Sequence, residues 1–208
     1  MAKLYLLTDD SLEPEGMLEL YGGAMLDGLG MLQLRVKGRE DAVFFRLAEE
    51  LAERCRKAGV PFIVNDRPDV ALLVGAAGVH LGRGDLPVAP VSRLLPPGML
   101  VGRSVRSPSQ AKEAVRDGAS YVAVGPCFST PVKPGLKPVG TPVLQETVRQ
   151  CEAPVCAIGG ITPSNLGRVL EARPAYVAVI SAVSRSAEPL RAKELLVEAL
   201  RRDDEGGR

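Results

Sequence analysis

The feature that most constrains the fold is a regular alternation of short apolar runs with longer segments of helical period. The runs consist mainly of Val, Ile, Leu and Ala without clean polar alternation, which is typical of parallel strands covered on both faces. The predicted strands are Leu4–Thr8, Met31–Val36, Pro61–Val64, Gly78–Leu81, Leu100–Val105, Tyr121–Gly125, Pro154–Ile158 and Tyr176–Ile180. This order indicates an α/β protein whose parallel strands are joined by helices.

Each predicted strand is followed by a segment of helical character. These segments are Glu15–Leu29, Glu40–Ala58, Pro68–Val74, Val91–Leu95, Ser109–Arg116, Pro142–Gln150, Ser164–Leu170 and Ala187–Leu200. The second has apolar residues at helical spacing and ends before Gly59, a residue type favoured just past a helix C-terminus. Ser107-Pro-Ser-Gln110 and Thr162-Pro-Ser-Asn165 both predict a capped helix start.

Eight strands, each followed by a helix, predict a (β/α)8 TIM barrel. The chain of 208 residues suits one such domain, so we expect residues 1–208 to form a single barrel with 201–208 as a frayed tail. An open doubly wound sheet is the alternative. No G-x-G-x-x-G turn after the first strand supports it.

Composition excludes several classes of function. The net charge of +1 gives no reason to expect a nucleic-acid partner, and no run of about 18 apolar residues indicates a membrane span. The four cysteines form no C-x-x-C pair and His80 is the only histidine, which argues against structural zinc and favours buried thiols. We expect a cytoplasmic protein without nucleic-acid or membrane partners, and the sequence leaves a homo-oligomer open.

Charged and polar residues collect at the ends of the early strands, where barrel enzymes place their active sites. The second strand ends with Gln33, Arg35 and Lys37, which alternate onto one face of the strand. Asn65 and Asp66 follow the third strand, Asp85 follows the fourth, and Lys133 follows the sixth. Cations beside carboxylates are typical of a polyphosphate held partly through Mg²⁺, which takes one or two carboxylates plus phosphate oxygens. This side of the barrel therefore predicts a metal-bound diphosphate.

The ends of the seventh and eighth strands have a different character. Gly159 and Gly160 precede a helix, where free backbone N–H groups favour a phosphate, and Val179-Ile-Ser-Ala182 offers further N–H groups and a hydroxyl. Two phosphorylated ligands, one of them a diphosphate, point to a transferase with diphosphate as the leaving group.

The same stretches resemble the thiamine-phosphate synthase family over nearly the whole chain. The shared motifs are Q-x-R-x-K, N-D-R, H-L-G-x-x-D, G-x-S, a Gly-Pro-x-Phe-x-Thr loop ending in Lys, I-G-G-I-T and V-I-S-A, in this order. The resemblance implies that 4-amino-2-methyl-5-hydroxymethylpyrimidine diphosphate and thiazole phosphate combine into thiamine phosphate and diphosphate, with Mg²⁺ as cofactor and these small phosphorylated substrates as the partners.

The resemblance also assigns residues to roles. The pyrimidine diphosphate would be held by Gln33, Arg35, Lys37, Asn65, Ser104 and Lys133, of which Arg35, Ser104 and Lys133 would act in catalysis. Asp66 and Asp85 would ligate Mg²⁺, whereas Thr130, Gly160, Ile180 and Ser181 would hold the thiazole phosphate. The proline-rich loop Pro126–Val139 would close over the site as a lid and exclude water.

The sequence departs from the family pattern at two positions. Val132 stands where a second Thr is usual before the loop Lys, and Arg106 stands where a His often follows the G-x-S stretch. The related TenI-type thiazole tautomerases, whose opening L-L-T-D-D-S is similar, use that His as a base, and arginine stays protonated. A tautomerase and a non-catalytic thiazole-phosphate-binding or regulatory barrel remain the alternatives. His80 would either orient the metal site or pack.

Overall fold

Eight parallel strands close into a barrel in which each strand pairs with its neighbours in sequence and the first pairs with the last. The computed structural model describes residues 2–132 and 135–206, with side chains described as far as residue 202. The strands are β1 (Lys3–Leu7), β2 (Leu29–Leu34), β3 (Phe62–Asn65), β4 (Gly78–Leu81), β5 (Leu100–Val105), β6 (Tyr121–Val124), β7 (Val155–Ile158) and β8 (Tyr176–Val179). The predicted (β/α)8 barrel is confirmed.

Helices surround the barrel and connect its strands. Within the described residues they are α1 (Pro14–Leu20), α2 (Asp41–Ala58), α3 (Pro68–Leu73), α4 (Val88–Leu94), α5 (Pro108–Arg116), α6 (Gly140–Gln150), α7 (Leu166–Leu170), α8 (Ser181–Ser184) and α9 (Pro189–Gly206). Gly59 ends α2 with φ 68°, a left-handed conformation that glycine adopts without a steric penalty. This agrees with the predicted cap.

The predicted continuous helix over Glu15–Leu29 is wrong. α1 ends at Leu20, a short 3₁₀ turn follows at Gly23–Met25, and β2 already begins at Leu29. Tyr21 and Gly22 separate the two pieces, and the positive φ of 50° at Gly23 is incompatible with a continued α-helix. The apolar spacing persists because both pieces pack their apolar residues, Met17 and Met25 among them, into the same core.

Only one of the two predicted N-terminal helix caps is confirmed. Ser107 Oγ accepts a hydrogen bond from Gln110 N at the start of α5. The prediction for Thr162 is wrong because α7 begins at Leu166, and Asn165 closes a turn instead: its Oδ1 accepts from Thr162 N at 2.9 Å and its Nδ2 donates to Gly160 O at 2.9 Å. At the other end of the chain, α9 continues to Gly206, through most of the segment expected to fray.

The core has two parts, one outside the barrel wall and one inside. The larger part lies between the strands and the helices. The inner part is smaller and consists of Tyr5, Leu7, Met31, Ile63, Tyr121, Ala123, Cys156 and Ala178. Strand side chains alternate between the two, and the inward positions also carry the buried polar side chains of Gln33 and His80. The barrel interior is therefore partly polar.

Among the described residues, no helix combines the length and the apolar character needed to cross a membrane.

Candidate active site

A cavity of about 1000 Å³, including the space at its open mouth, lies at the carboxyl ends of the strands. Its walls contain residues from both predicted ligand sets: Gln33, Arg35, Asn65 and Ser104 on one side, and Thr130, Gly160, Ile180 and Ser181 on the other. Two ligands bound to these two sets would share one cavity.

Five polar side chains form a continuous hydrogen-bond chain through the barrel interior, which we call the interior chain. Gln33 Nε2 donates to Tyr5 Oη at 2.5 Å, and Tyr5 Oη lies 2.9 Å from Tyr121 Oη. Tyr121 Oη lies 3.0 Å from His80 Nδ1, and His80 Nε2 lies 2.9 Å from Ser104 Oγ. Tyr5 and Tyr121 are not among the residues predicted from the sequence, and His80 is bonded into this chain rather than held by packing alone.

Burial strongly affects the two phenols of the interior chain. It is the largest influence on the hydroxyls of Tyr5 and Tyr121 and raises the pKa of both above the ordinary value. Both phenols therefore remain protonated, and each can donate one hydrogen bond and accept others.

Arg35 sits at the edge of the cavity as a paired cation. Its Nη1 donates to Asp10 Oδ2 at 2.8 Å, and Thr8 Oγ1 accepts from its backbone N–H at 2.9 Å. Because β2 ends at Leu34, Arg35 and Lys37 follow the strand instead of alternating along it, which corrects the predicted strand face. Arg83, which the sequence analysis did not select, adds a further cation to the cavity wall.

Lys37, Asp66 and Asp85 lie next to the cavity and not in the part of its wall that the structure describes. Lys37 Nζ donates to Asp66 Oδ2 at 2.6 Å, and Gly82 N donates to Asp85 Oδ2 at 2.7 Å. Asp66 Oδ1 is buried without a hydrogen-bond partner among the described residues. The backbone of Asp66 is left-handed, with φ 65°, a conformation that Asp tolerates better than most residues.

The two carboxyl groups influence each other's ionisation. The neighbouring Asp66 carboxylate and then burial raise the pKa of Asp85 above its ordinary value. Burial acts in the same direction on Asp66, but the neighbouring Asp85 carboxyl group and the ion pair with Lys37 lower its pKa overall. Two ionised carboxylates at these positions would therefore repel each other, and a bound cation would offset this repulsion.

The opposite wall is built from backbone at the ends of β7 and β8. Gly160 has φ 67°, and a Cβ on it would collide with Ser129 O and the Phe128 side chain, so only glycine fits there. Thr130 Oγ1 accepts from Val132 N at 3.3 Å. Ser181 is the first residue of α8 and follows Ile180 directly. This wall offers amides and hydroxyls without a charged side chain among the predicted residues.

A buried carboxylate that the sequence analysis did not identify holds this wall to β1. Asp9 accepts hydrogen bonds from Ser184 Oγ at 2.7 Å, Arg185 Nε at 3.0 Å and Ser11 Oγ at 2.8 Å. Burial alone would raise the pKa of Asp9, but these hydrogen bonds outweigh it and hold the pKa below the ordinary value. Asp9 therefore stays charged and fixes α8, which begins at Ser181.

The loop after β6 is described only in part. Lys133, the predicted leaving-group residue, lies outside the described residues, whereas Val132 lines the cavity. Arg106 Nη2 donates to Lys137 O at 2.7 Å, and Val139 N donates to Pro126 O at 2.8 Å, so these bonds anchor the second half of the loop. Arg106 does not belong to the described lining of the cavity. The lid function of this loop stays a prediction.

Comparison with known proteins identifies similar sequences over almost the whole chain. The family described as thiamine monophosphate synthase matches residues 4–183. The thiamine-phosphate synthase of Synechocystis sp. is 41% identical over 199 residues, which cover 96% of this chain and 57% of that protein. The thiamine-phosphate synthase of Roseiflexus castenholzii is also 41% identical, and the match covers 94% of this chain and 86% of the relative. The chain thus spans little more than half the length of several curated relatives.

Solved structures agree with these sequence matches. The thiamine phosphate pyrophosphorylase from Pyrococcus furiosus superposes with a TM-score of 0.89 at 34% identity, covering 97% of this chain and 96% of that one. A 3-hexulose-6-phosphate synthase superposes with a TM-score of 0.73 at 17% identity, covering 95% of this chain and 99% of the other, which shows a shared barrel fold alone.

Proposed function

The chain belongs to the thiamine monophosphate synthase family, and from that premise we propose that it joins 4-amino-2-methyl-5-hydroxymethylpyrimidine diphosphate to thiazole phosphate. The products are thiamine phosphate and diphosphate. The thiazole nitrogen forms a bond to the methylene carbon of the pyrimidine, and the carbon–oxygen bond to diphosphate breaks, its electron pair leaving with the diphosphate. The nitrogen attacks through its lone pair, so this chemistry requires no general base.

The observation that carries the proposal is that the two predicted ligand sets line one cavity. Gln33, Asn65 and Ser104 stand on one side of it, and Thr130, Gly160 and Ser181 stand on the other. Transfer between two bound molecules requires their reacting atoms to meet, and a shared cavity permits this without release of an intermediate. The Pyrococcus furiosus relative, similar over almost its whole length, supports the same interpretation.

The charged residues suit a diphosphate leaving group. Arg35 lies at the cavity edge, and its pairing with Asp10 holds the guanidinium in position. Fixed positive charge near the departing oxygens stabilises the negative charge that grows there. We include Lys37 and Lys133 in this role, the second on the strength of the family resemblance alone because it lies outside the described residues.

We further propose that Asp66 and Asp85 would hold Mg²⁺ at the diphosphate side of the cavity. The donor set fits, because Mg²⁺ prefers carboxylate oxygens and Asp66 Oδ1 is a buried acceptor without a hydrogen-bond donor among the described residues. The two residues do not complete a metal site alone, since no described cluster has three or more potential His, Cys, Asp or Glu ligands. Bound there, Mg²⁺ would neutralise charge on the leaving diphosphate.

The direct test is to mix the protein with both substrates and Mg²⁺ and to detect thiamine phosphate by mass spectrometry. We expect product that depends on both substrates. Isomerisation of the thiazole carboxylate phosphate without thiamine phosphate would favour the tautomerase alternative. Binding of thiazole phosphate without either reaction would favour the non-catalytic barrel.

A second experiment tests the metal assignment. Asp66→Asn keeps the side-chain volume and tolerates the left-handed backbone, but removes the charge. We expect Mg²⁺-dependent turnover to fall further than the roughly 10- to 100-fold typical of residues that only support a metal ligand. Thiazole-phosphate binding, measured by calorimetry, should stay within about twofold because Asp66 is not on that wall.

The matched control for this experiment is Asp69→Asn. Asp69 is another acidic residue near the start of α3, and it pairs with Arg67 at the surface. Its substitution should leave the Mg²⁺ dependence unchanged. Equal turnover in the Asp66 and Asp69 variants would refute the metal role.

A cytoplasmic location also remains part of the proposal, supported by four free cysteines.

A further inference from the structure

The direction of the hydrogen bonds in the interior chain can be deduced from the end at which Gln33 lies. At one end Gln33 donates through Nε2, so Tyr5 Oη accepts. The buried Tyr5 hydroxyl still carries its own proton, and within the described residues Tyr121 Oη is the acceptor within reach. The reverse direction would leave that buried proton without an acceptor, at a cost of about 1–3 kcal/mol.

The same direction continues through the rest of the chain. Tyr121 Oη accepts from Tyr5, so its proton is available to His80 Nδ1. A neutral imidazole that accepts at Nδ1 carries its proton on Nε2, and this N–H donates to Ser104 Oγ. The Ser104 oxygen is thereby occupied as an acceptor, and its own proton is free to donate into the cavity that Ser104 lines.

Gly102 provides the space in which this chain closes. A Cβ at Gly102 would collide with Tyr121 Oη and with His80 Nδ1, the two atoms of the central hydrogen bond. Gly102 is in β5, where its backbone is ordinary and its register places it opposite His80 and Tyr121. Glycine at this position is therefore explained by the hydrogen bond beside it and not by backbone conformation.

We propose that Tyr5, Tyr121 and His80 are positioning residues that set the polarity of the cavity. Through them Ser104 becomes a hydrogen-bond donor, and Gln33, whose Nε2 is bound to Tyr5, presents its amide oxygen as an acceptor. The cavity then selects a heterocycle with an N–H donor facing Gln33 and an unprotonated ring nitrogen facing Ser104. For the identity of the substrate this proposal rests on the proposed function, whose aminopyrimidine carries both the N–H donor and the unprotonated ring nitrogen.

The tautomer of His80 can be measured without any substrate. His80 is the only histidine in the chain, so its two ring nitrogens give the only imidazole signals in a ¹⁵N NMR spectrum. At about pH 8, well above the ordinary histidine pKa of about 6.5, we expect the proton on Nε2 and a non-protonated Nδ1. A proton on Nδ1 would overturn the proposal whether or not the protein makes thiamine phosphate.

Kinetics of two Tyr→Phe variants test the consequence for binding. Tyr121→Phe removes the link between Tyr5 and His80, whereas Tyr176→Phe removes a hydroxyl from a ring that packs edge-on against Tyr5 at 6.3 Å, outside the chain. In Tyr121→Phe we expect a mixture of His80 tautomers and a KM for the aminopyrimidine diphosphate raised about 3- to 10-fold. The KM for thiazole phosphate should stay within about twofold in both variants.

A substrate analogue distinguishes an effect of hydrogen-bond polarity on binding from an effect of packing. The diphosphate whose 4-amino group is replaced by a 4-oxo group presents an acceptor where the proposal requires a donor. As an inhibitor it should bind about 10-fold or more weakly than the amino compound to the wild type, and Tyr121→Phe should reduce this preference. Equal inhibition by both compounds, or a Tyr121→Phe effect on both KM values alike, would overturn the proposal. Failure to form thiamine phosphate with the expected His80 tautomer would instead reject only the proposed function.

Discussion

At the scale of single residues, Asp9 shows how a buried carboxylate can remain charged. Its side chain is 2% exposed, yet Ser184, Arg185 and Ser11 all donate to its two oxygens. Charge-assisted hydrogen bonds of this kind are stronger than neutral ones and offset the loss of hydration. Asp9 also joins β1 to α8 across 175 positions of sequence. Its ionisation is therefore coupled to the folding of the whole barrel.

We predict that Asp9→Asn lowers the free energy of unfolding by about 2 kcal/mol near neutral pH, since it weakens hydrogen bonds to a charged group. The pKa of Asp9 is lower in the folded state than its ordinary value of 3.8. Its stabilising effect is thus complete above about pH 4 and is lost as the pH falls through the lower, folded-state pKa. Urea unfolding of the wild type and of Asp9→Asn over a series of pH values measures the difference in their free energies of unfolding.

The control for Asp9→Asn is the same substitution at the neighbouring residue, Asp10. Asp10→Asn breaks the pair with Arg35, but the Asp10 side chain is 29% exposed, so we expect a loss of under about 1 kcal/mol. If the difference in stability between wild type and Asp9→Asn grew as the pH fell below about 4, the assigned direction of the Asp9 pKa shift would be wrong.

At the scale of elements, the starts of α5 and α7 differ although their sequences look alike. Pro108 and Pro163 each follow a hydroxyl residue, but only Ser107 accepts a hydrogen bond from the first turn of a helix. At the other position Asn165 bonds to Gly160 and Thr162, so a turn forms first and the helix starts later. That turn shapes the backbone of Gly160 on the cavity wall. At Thr162 the local cap motif therefore does not form a helix cap, because the hydrogen bonds of Asn165 form a turn that supports the site.

We predict that Ser107→Ala lowers the free energy of unfolding by about 1 kcal/mol because the N–H of Gln110 loses its acceptor. Ser107→Asp should restore most of this stability, since Asp caps equally well and its charge suits the helix N-terminus. Thermal unfolding of the wild type, Ser107→Ala and Ser107→Asp measures the order of their stabilities. Equal stability of the Ala and Asp variants would contradict a capping role for Ser107.

At the scale of the whole molecule, closure of the barrel decides which groups reagents can reach. Cys55, Cys127 and Cys156 are buried, whereas Cys151, which follows α6, is partly exposed. Burial raises the pKa of Cys55 to about 12, and it raises the pKa of Cys127 to about 11 against a smaller lowering effect of the Ile158 backbone. Since the thiolate is the reactive form, these thiols are protected both sterically and chemically.

We predict that the native protein reacts quickly with a maleimide at one thiol and that the unfolded protein reacts at all four. Mass spectrometry after short labelling at about pH 7 gives the count, and Cys151→Ser should remove the rapid reaction. Rapid labelling of more than one thiol in the native protein would mean that the barrel opens locally around the buried cysteines.

The sequence by itself determined the barrel and eight of the residues that line its cavity. Strand character depends on short apolar runs, which are local, and in a parallel barrel every strand end reaches the same rim. The positions of the strand ends therefore predict that Gln33 and Asn65 lie on the same rim as Gly160 and Ser181, and the cavity confirms this. The break in the helix after Leu20 was missed because apolar spacing alone does not record a glycine turn.

Only the tertiary structure decided which polar side chains bond to each other. Tyr5 and Tyr121 are 116 positions apart, and Asp9 and Arg185 are 176 apart. Neither pair has a local signal, since a tyrosine in an apolar strand looks the same whether its hydroxyl meets a partner or not. Their contacts depend on strand register and on closure of β1 against β8, which bring distant residues within 3 Å. The polarity of the cavity is therefore a property of the closed barrel.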